Sequence, residues 1–279
     1  MKTIVKGKTR EVAINTDGPV IIIGESINPT GRKRLESTLS EENFDYVHEL
    51  AESQIKAGAD ILDVNVGFPG VDDVKLLPRT VIYLQQEFDT PLCIDSPNPL
   101  AIEAALKVIK GKCLINSVNG GEKSLNAILP LAREYGAAVI GLVMDDGGIT
   151  HDPEKRLKIA EKILERSLKR GIGEEDVIID PLAMAVSADP DAGRITLETI
   201  KLVHDRLGLN ITQGASNVSF GLPNREVLNS VFMVFAIMNG LTCPIANPNR
   251  ITAIVRAADL LLGRDDLAMR FVEYYQGKL

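Results

Sequence analysis

The chain has 279 residues and a formal net charge of −7, with 45% hydrophobic and 25% charged residues. These values are typical of a globular protein, and the length suits one large α/β domain, so we expect a single domain over residues 1–279. The negative charge argues against a general nucleic-acid or anionic-membrane surface, because both need clustered Lys and Arg.

The three cysteines, Cys93, Cys113 and Cys243, are far apart, and each lies in or beside an apolar run. This pattern favours buried thiols and a reducing compartment over a disulfide framework. The first residues contain no apolar signal segment, and no apolar run reaches membrane-spanning length. We therefore expect a cytoplasmic protein.

Residues 3–14 predict a small hairpin that turns at Lys6–Lys8. The chain then alternates between short apolar runs and amphipathic segments. The runs predicted as strands are Val20–Ile23, Ile61–Leu62, Leu92–Ile94, Cys113–Ile115, Ala137–Val143, Val177–Ile179, Leu209–Thr212 and Thr242–Ile245. The predicted helices are 41–57 with Ser40 as N-cap, 71–88, 99–109, 122–135, 153–169, one from beyond Pro190 to Leu207, 225–238, 249–262 and a helical tail.

These elements form eight strand-plus-helix units in one series. Short apolar strands without alternation indicate a sheet buried on both faces, as parallel sheets are. The series predicts a (β/α)₈ TIM barrel, an α/β fold, with the N-terminal hairpin at its amino-terminal mouth. The alternative is an open doubly wound sheet. Its dinucleotide-binding form is disfavoured because no Gly-x-Gly-x-x-Gly follows a strand.

Polar residues end nearly every predicted strand, where the active sites of such barrels lie. All of them are carboxylates or amides: Glu25, Asn28, Asp63, Asn65, Asp95, Asn116, Asp145, Asp180, Gln213, Asn217 and Asn247. The carboxylates could bind Mg²⁺, or the whole set could bind a neutral heterocycle rich in N–H donors, such as a pterin. For any single member, helix N-capping is the alternative. These observations leave magnesium and pterin equally supported.

Other chemistries find less support in the same positions. No Lys stands at a strand end, which argues against a Schiff-base aldolase. The three histidines, His48, His151 and His204, fall in predicted helices or a loop, which argues against a zinc site and a histidine base.

The segment Gln213–Arg225 is dense in Gly, Ser and Asn and follows the seventh predicted barrel strand. Its amides and hydroxyls suit a ring with donors and acceptors on its edge, whereas its composition alone favours an ordinary turn.

Six strings at the strand ends resemble the pterin-binding barrel family. They are Gly24–Pro29, Leu62–Gly67, Cys93–Ser96, Ile115–Asn119, Ile179–Pro181 and Ser216–Arg225. The likeness runs from about Val20 to beyond Ile251 and is greatest to the methyltetrahydrofolate:corrinoid methyltransferases, including the folate domain of cobalamin-dependent methionine synthase. Dihydropteroate synthases share the barrel but carry a Lys after strand seven and an Arg-x-His near strand eight, which this chain lacks. Some corrinoid-transferring members have Gln in place of Phe220.

The resemblance implies that Asp95, Asn116 and Asp180 bind the pteridine ring, with Glu25, Asp63 and Ser219 in the same pterin site. Asn217 would lie beside N5 and act catalytically, donating a hydrogen bond as negative charge develops on that nitrogen. Arg225 would face the partner or the cofactor tail, although a solvated arginine at a helix start is the alternative. The chain itself is expected to bind no metal.

The corrinoid is expected on a separate protein, because the Asp-x-His-x-x-Gly string of cobalamin-binding domains surrounds none of the three histidines. Methyl transfer in either direction fits the same site. A homodimer is also open, since family members often form one and the final helices are apolar. The competing hypotheses are another pterin enzyme such as dihydropteroate synthase, a Mg²⁺-dependent lyase or isomerase, and a non-catalytic pterin or corrinoid-carrier binding protein.

Overall fold

The computed structural model describes residues 1–276 as ten strands and ten α-helices. The strands are β1 Lys2–Lys6, β2 Glu11–Asn15, β3 Ile23–Ile27, β4 Ile61–Val64, β5 Leu92–Asp95, β6 Leu114–Asn119, β7 Ala138–Leu142, β8 Val177–Asp180, β9 Asn210–Gly214 and β10 Cys243–Ala246. The helices are α1 Lys33–Ser40, α2 Asp45–Lys56, α3 Asp73–Glu87, α4 Pro99–Leu106, α5 Glu122–Tyr135, α6 Pro153–Lys169, α7 Ala192–Leu207, α8 Arg225–Met238, α9 Pro248–Leu261 and α10 Met269–Gln276. The predicted domain extends to residue 279, and its last three residues lie outside the described part.

Strands β3 to β10 pair in chain order, all in parallel, and β10 closes the barrel against β3. The predicted TIM barrel is confirmed, and the open-sheet alternative is wrong. Along each strand, side chains alternate between two cores. Residues such as Ile22 and Ile94 pack outward beneath the helices, whereas Ile23, Ile61 and Cys93 fill the barrel interior. This alternation fixes which strand-end residues face the mouth of the barrel.

The hairpin of β1 and β2 covers the amino-terminal end of the barrel, as predicted. Its inward side chains Val5, Val12 and Ile14 belong to the same buried cluster as the barrel interior. Asn210, at the start of β9, anchors the hairpin, since its Nδ2 donates to Thr3 Oγ1 at 2.9 Å and to the Ile14 carbonyl at 3.0 Å. Apolar packing and these hydrogen bonds together close this end.

The predicted N-cap at Ser40 is wrong, because Ser40 is the last residue of α1, a helix that the sequence patterns did not reveal. Glu42 then takes a positive φ of 54°, which separates α1 from α2. At the N-terminus of α2, the hydrogen bond comes instead from Asn43, whose Oδ1 accepts from the Asp45 amide at 2.9 Å. The predicted helix over 41–57 therefore begins four residues late, at Asp45.

The first barrel strand also begins later than the apolar run from Val20 predicts. Side chains occupy the early amides of this run: the Val20 N–H lies 3.0 Å from Asp259 Oδ2, and the Ile22 N–H lies 2.9 Å from Asp60 Oδ2. Regular strand geometry starts at Ile23 and includes Glu25. Among the described residues, no helix has the length and apolar character needed to cross a membrane.

We expect Asn210→Ala to reduce the free energy of unfolding by about 1–3 kcal/mol, since it leaves buried polar groups of Thr3 and Ile14 without a donor. Urea denaturation measures the change. Gln86→Ala, an exposed substitution on α3, is the control and should alter stability by less than about 0.5 kcal/mol. Equal effects of the two substitutions would contradict the anchoring role of Asn210.

Candidate functional site

Polar side chains converge at the carboxyl ends of β4, β5 and β6. Asp63 lies two residues after the inward Ile61 and therefore faces the interior, as do Asp95 after Cys93 and Asn116 after Leu114. We call the inward polar residues of the carboxyl ends the strand-end ring; its members are Glu25, Asp63, Asn65, Asp95, Asn116 and Asp180. The sequence predicted each of these positions.

Two amides hold the paired carboxyl groups of the ring. Asn65 Nδ2 donates to Asp95 Oδ2 at 2.9 Å, and Asn116 Nδ2 donates to Asp63 Oδ1 at 3.2 Å. Asn65 is itself oriented by the Gly67 amide, which donates to its Oδ1 at 2.7 Å. The peptide bond after Asn116 is cis. The two hydrogen-bonded pairs therefore link side chains from three adjacent strands.

The Asp63 and Asp95 carboxyl groups share a hydrogen bond and interact too strongly for both to ionise easily. Burial, and then the neighbouring Asp95 charge, raise the pKa of Asp63 well above its ordinary value. Burial also raises the pKa of Asp95, although hydrogen bonds from Asn65 and Asp63 partly oppose this. Asp63 therefore retains a proton more readily and donates it to Asp95, whose carboxylate remains an acceptor.

Asp180 completes the ring on β8 and is buried. Its Oδ1 accepts from the Leu182 amide at 2.8 Å, in a turn where Leu182 has a φ of 62°. Burial raises the pKa of Asp180 from its ordinary value of 3.8 to about 6, against the opposing effects of backbone hydrogen bonds from Leu182 and Gly214 and the charge of Arg156. This carboxyl group is poised to change protonation near neutral pH.

Arg156, on α6, is fully buried and positions the turn after Asp180. Its Nη1 donates to the carbonyls of Pro181 at 2.8 Å and Leu182 at 3.0 Å, and its Nε donates to the Thr150 carbonyl at 2.7 Å. One guanidinium thus joins the loops that follow β7 and β8. The sequence analysis missed this residue, although an arginine within the buried stripe of an amphipathic helix was a signal.

Glu25 lies on β3 at the edge of the ring and is half-buried. Its Oε2 accepts from Ser216 Oγ at 3.4 Å, which links β3 to the loop after β9. Burial raises the pKa of Glu25, while Arg32, Ser216, Arg225 and Arg250 act in the opposite direction. A carboxyl group in this position therefore has cations on its solvent side.

The loop after β9 is a short 3₁₀ turn, Ala215–Ser219, which presents Asn217 to solvent. Within the described residues, the Asn217 side-chain amide makes no hydrogen bond. Arg225 secures the turn from behind, since its Nη2 donates to the Ser216 carbonyl at 2.7 Å and its Nε donates to Ser219 Oγ at 3.0 Å. Ser219 is fully buried, so its hydroxyl lies in this loop network and not at the surface of the ring.

Several strand-end candidates lie outside the ring. Asn28 Oδ1 accepts from Thr30 and Asn247 Oδ1 from Asn249, so both have the turn or capping role that was the alternative. Asp145 Oδ1 likewise accepts from Gly147 in a turn. Gln213 is fully buried, and both its side-chain polar atoms lack a hydrogen-bond partner in the described part of the chain. Side chains alternate along β9, and Thr212 points inward, so the Gln213 side chain points outward and does not belong to the ring.

Over residues 1–276, no group of three or more His, Cys, Asp or Glu side chains is arranged to hold a metal ion.

Comparisons with known proteins show the family of this chain. A family model described as pterin binding enzyme matches residues 24–247. This chain belongs to the pterin-binding enzyme family. A relative from Eubacterium limosum, named methylcorrinoid:tetrahydrofolate methyltransferase, is 30% identical over 93% of this chain and 98% of its own length. Methionine synthases of Mycobacterium tuberculosis and Mycobacterium leprae are each 30% identical over 86% and 85% of this chain, but it covers only 21% of their lengths.

Solved structures support the same fold for this pterin-binding family member. A dihydropteroate synthase of Yersinia pestis with a pterine-sulfa conjugate has a TM-score of 0.73 at 18% identity, covering 94% of this chain and 99% of its own. The Vibrio fischeri dihydropteroate synthase has a TM-score of 0.70 at 19% identity with the same coverage. At these identities the likeness establishes the barrel alone.

We expect Asp180→Asn to raise stability at pH 8. The folded state binds the Asp180 proton more tightly than the unfolded state, so this carboxyl group costs stability as pH rises from about 4 to about 6. The cost at neutral pH is on the order of 3 kcal/mol. Chemical denaturation from pH 4 to pH 8 should show the gain growing with pH.

Asp189→Asn is the matched control, because backbone and His151 hydrogen bonds lower the pKa of Asp189. This variant should lose stability at pH 8 and approach the wild type as pH falls. Parallel pH profiles for the two variants would contradict the assignment.

Proposed function

We propose that this chain transfers a methyl group between N5 of methyltetrahydrofolate and a corrinoid carried on a separate protein. The observation that carries the proposal is the pairing of buried and half-buried carboxyl groups, held by amides, with one exposed amide at the same mouth, Asn217, which makes no side-chain hydrogen bond within residues 1–276. The carboxyl groups suit a flat ring with N–H donors, and the Asn217 amide suits a ring atom that develops charge. The names of the Eubacterium limosum and mycobacterial relatives support the same reaction.

The pteridine ring would bind through Asp95, Asn116 and Asp180, with Asp63 and Glu25 completing the pocket. An aminopyrimidinone edge presents several N–H donors, and carboxylates accept two such bonds at once. Because Asp63 supplies a proton to Asp95, the pair carries less than two negative charges, which suits a neutral ring. A direct contact from Ser219 to the pterin stays a prediction, and its buried hydroxyl supports the loop through Arg225.

Asn217 would act on the leaving nitrogen. A tertiary amine leaves poorly, so cleavage of the N–CH₃ bond needs a hydrogen bond or a proton at N5. An amide without a partner in the described part of the chain can turn its N–H toward N5 as charge develops there, which stabilises the transition state more than the ground state. The reverse reaction passes through the same transition state, so the same contact lowers the barrier to methylation of N5 as well.

The corrinoid, supplied by its own carrier protein, provides the cobalt that accepts or donates the methyl group. The exposed rim fits a flat macrocycle, since Phe220 is 67% exposed three residues beyond Asn217. Arg225 lies nearby, 5.9 Å from the Phe220 ring, in keeping with its predicted position toward the partner or cofactor tail. The chain's part is to hold folate and leave this rim open.

Dihydropteroate synthesis is the weaker alternative. The solved neighbours share the barrel, but the Lys and Arg-x-His expected of that enzyme are missing after β9 and near β10.

We further propose that the protein has one domain, supported by its single closed barrel. We also propose that it is cytoplasmic, supported by three buried thiols without disulfides. A homodimer stays a proposal as well. It is supported by an exposed apolar stripe on α8, formed by Val227, Val231, Phe235 and Met238.

The first test is a calorimetric titration of the metal-free protein with methyltetrahydrofolate. We expect saturable binding by the wild type and at least about tenfold weaker binding by Asp95→Ala, because the ring loses a charged acceptor. Asp176→Ala, at the opposite end of the barrel, is the control and should bind normally. An absence of binding at millimolar ligand would refute the proposed function.

Turnover tests the role of Asn217. We expect Asn217→Ala to reduce methyl transfer with a corrinoid protein by about 10- to 1000-fold, while folate binding weakens only modestly, because a transition-state donor is lost. Asn217→Asp keeps the shape of the side chain but removes its N–H donors, so it should be similarly slow. Unchanged turnover in both variants would leave Asn217 without a catalytic role.

A further inference from the structure

A cleft of about 440 Å³ opens beside the strand-end ring. It lies between the end of β3, the Ala215–Ser219 turn and the first turns of α8 and α9. Glu25 and Ser216 line it, so the cleft is continuous with the edge of the ring. Binding of a ligand in the ring leaves this cleft without a role.

Three arginines line this cleft: Arg32, Arg225 and Arg250. Arg32 Nη1 donates to the Ser26 carbonyl at 2.6 Å, and Arg250 Nε lies 3.4 Å from Glu226 Oε1. Each guanidinium has five N–H donors, and in the described part of the chain these contacts use only a few of them. The cleft therefore presents several planar donor groups that a carboxylate can bind in pairs.

The charges in the cleft favour an anionic ligand. Only Glu25 and Glu226 oppose the three arginines, and Glu226 is exposed at the rim. A locally cationic cleft stands out in a chain whose net charge is −7.

Asn229 adds a different kind of group. It lines the cleft, and its Oδ1 is shielded from water with no hydrogen-bond partner in the described residues. A shielded acceptor of this kind needs a donor, such as an amide N–H, to offset its desolvation. The cleft thus offers sites for carboxylates and for an amide N–H together.

We propose that this cleft binds the glutamyl tail of the folate, and that the protein prefers folates with several γ-linked glutamates. This inference rests on the proposed function, which places the pterin ring at Asp95. Glu25 lies two strands away from Asp95, about 10 Å along the barrel wall, a distance that the p-aminobenzoyl segment and first glutamate bridge. Every added glutamate brings one carboxylate and one amide N–H, the two groups for which the cleft has partners.

The test is a calorimetric titration with methyltetrahydrofolate carrying one, three or five glutamates, at low and high salt. We expect the pentaglutamate to bind about tenfold more tightly than the monoglutamate, since each exposed carboxylate–arginine contact adds a small amount. Salt should reduce this difference, because partly exposed ion pairs are screened.

Two substitutions at exposed positions should move the preference in opposite directions. Arg250→Gln removes a cation and should lower the pentaglutamate advantage to about threefold, leaving monoglutamate binding nearly unchanged. Glu226→Gln removes the carboxylate that competes for Arg250 and should increase the advantage. Lys155→Gln makes the same charge change as Arg250→Gln on α6, outside the cleft, and should leave the ratio unaltered.

Equal affinities for the monoglutamate and the pentaglutamate would overturn the inference while leaving the proposed function intact. An equal loss of affinity for both ligands in Arg250→Gln would also overturn it. If no folate binds, the proposed function fails together with the inference.

Discussion

The structure depends on keeping several carboxyl groups out of water at one end of a barrel. An isolated buried carboxylate is costly, so each needs donors or a shared proton. The ring meets this need locally: Asn65 and Asn116 donate to Asp95 and Asp63, which also hydrogen-bond to each other. These partners lie on adjacent parallel strands, whose register brings their ends together. The closed barrel is what makes the network possible, and the network in turn leaves acceptors that a donor-rich ring can use.

Much of the fold was predictable because its signals are local. Helices α5, α6 and α8 have the predicted bounds, because clear start and stop residues delimit each amphipathic pattern. Helix α1 escaped prediction because its sequence is mostly polar and only Leu35 and Leu39 are buried. The late start of β3 was equally hidden, since the carboxylates that occupy its early amides come from distant parts of the chain.

The site was predictable to the extent that strand ends determine it. Alternation within strands places Asp63 and Asp95 inward, but it also excludes Gln213, whose position one residue out of phase was overlooked. The contribution of Arg156 could not be assigned from the pattern, because its partners are backbone carbonyls in two loops. Such contacts depend on loop conformation, which side-chain periodicity does not encode.

The hairpin has a kinetic consequence for a barrel of this kind. Because Val5, Val12 and Ile14 pack into the amino-terminal end, the strand-end ring is open to solvent, over the described residues, only at the opposite mouth. In the proposed reaction, folate and the corrinoid protein would both approach the site through this mouth. Folate would have to bind before the corrinoid protein covers it, and it could leave only after the corrinoid protein departs. The plugged end of the barrel would therefore impose a compulsory order of binding and release on the proposed methyl transfer.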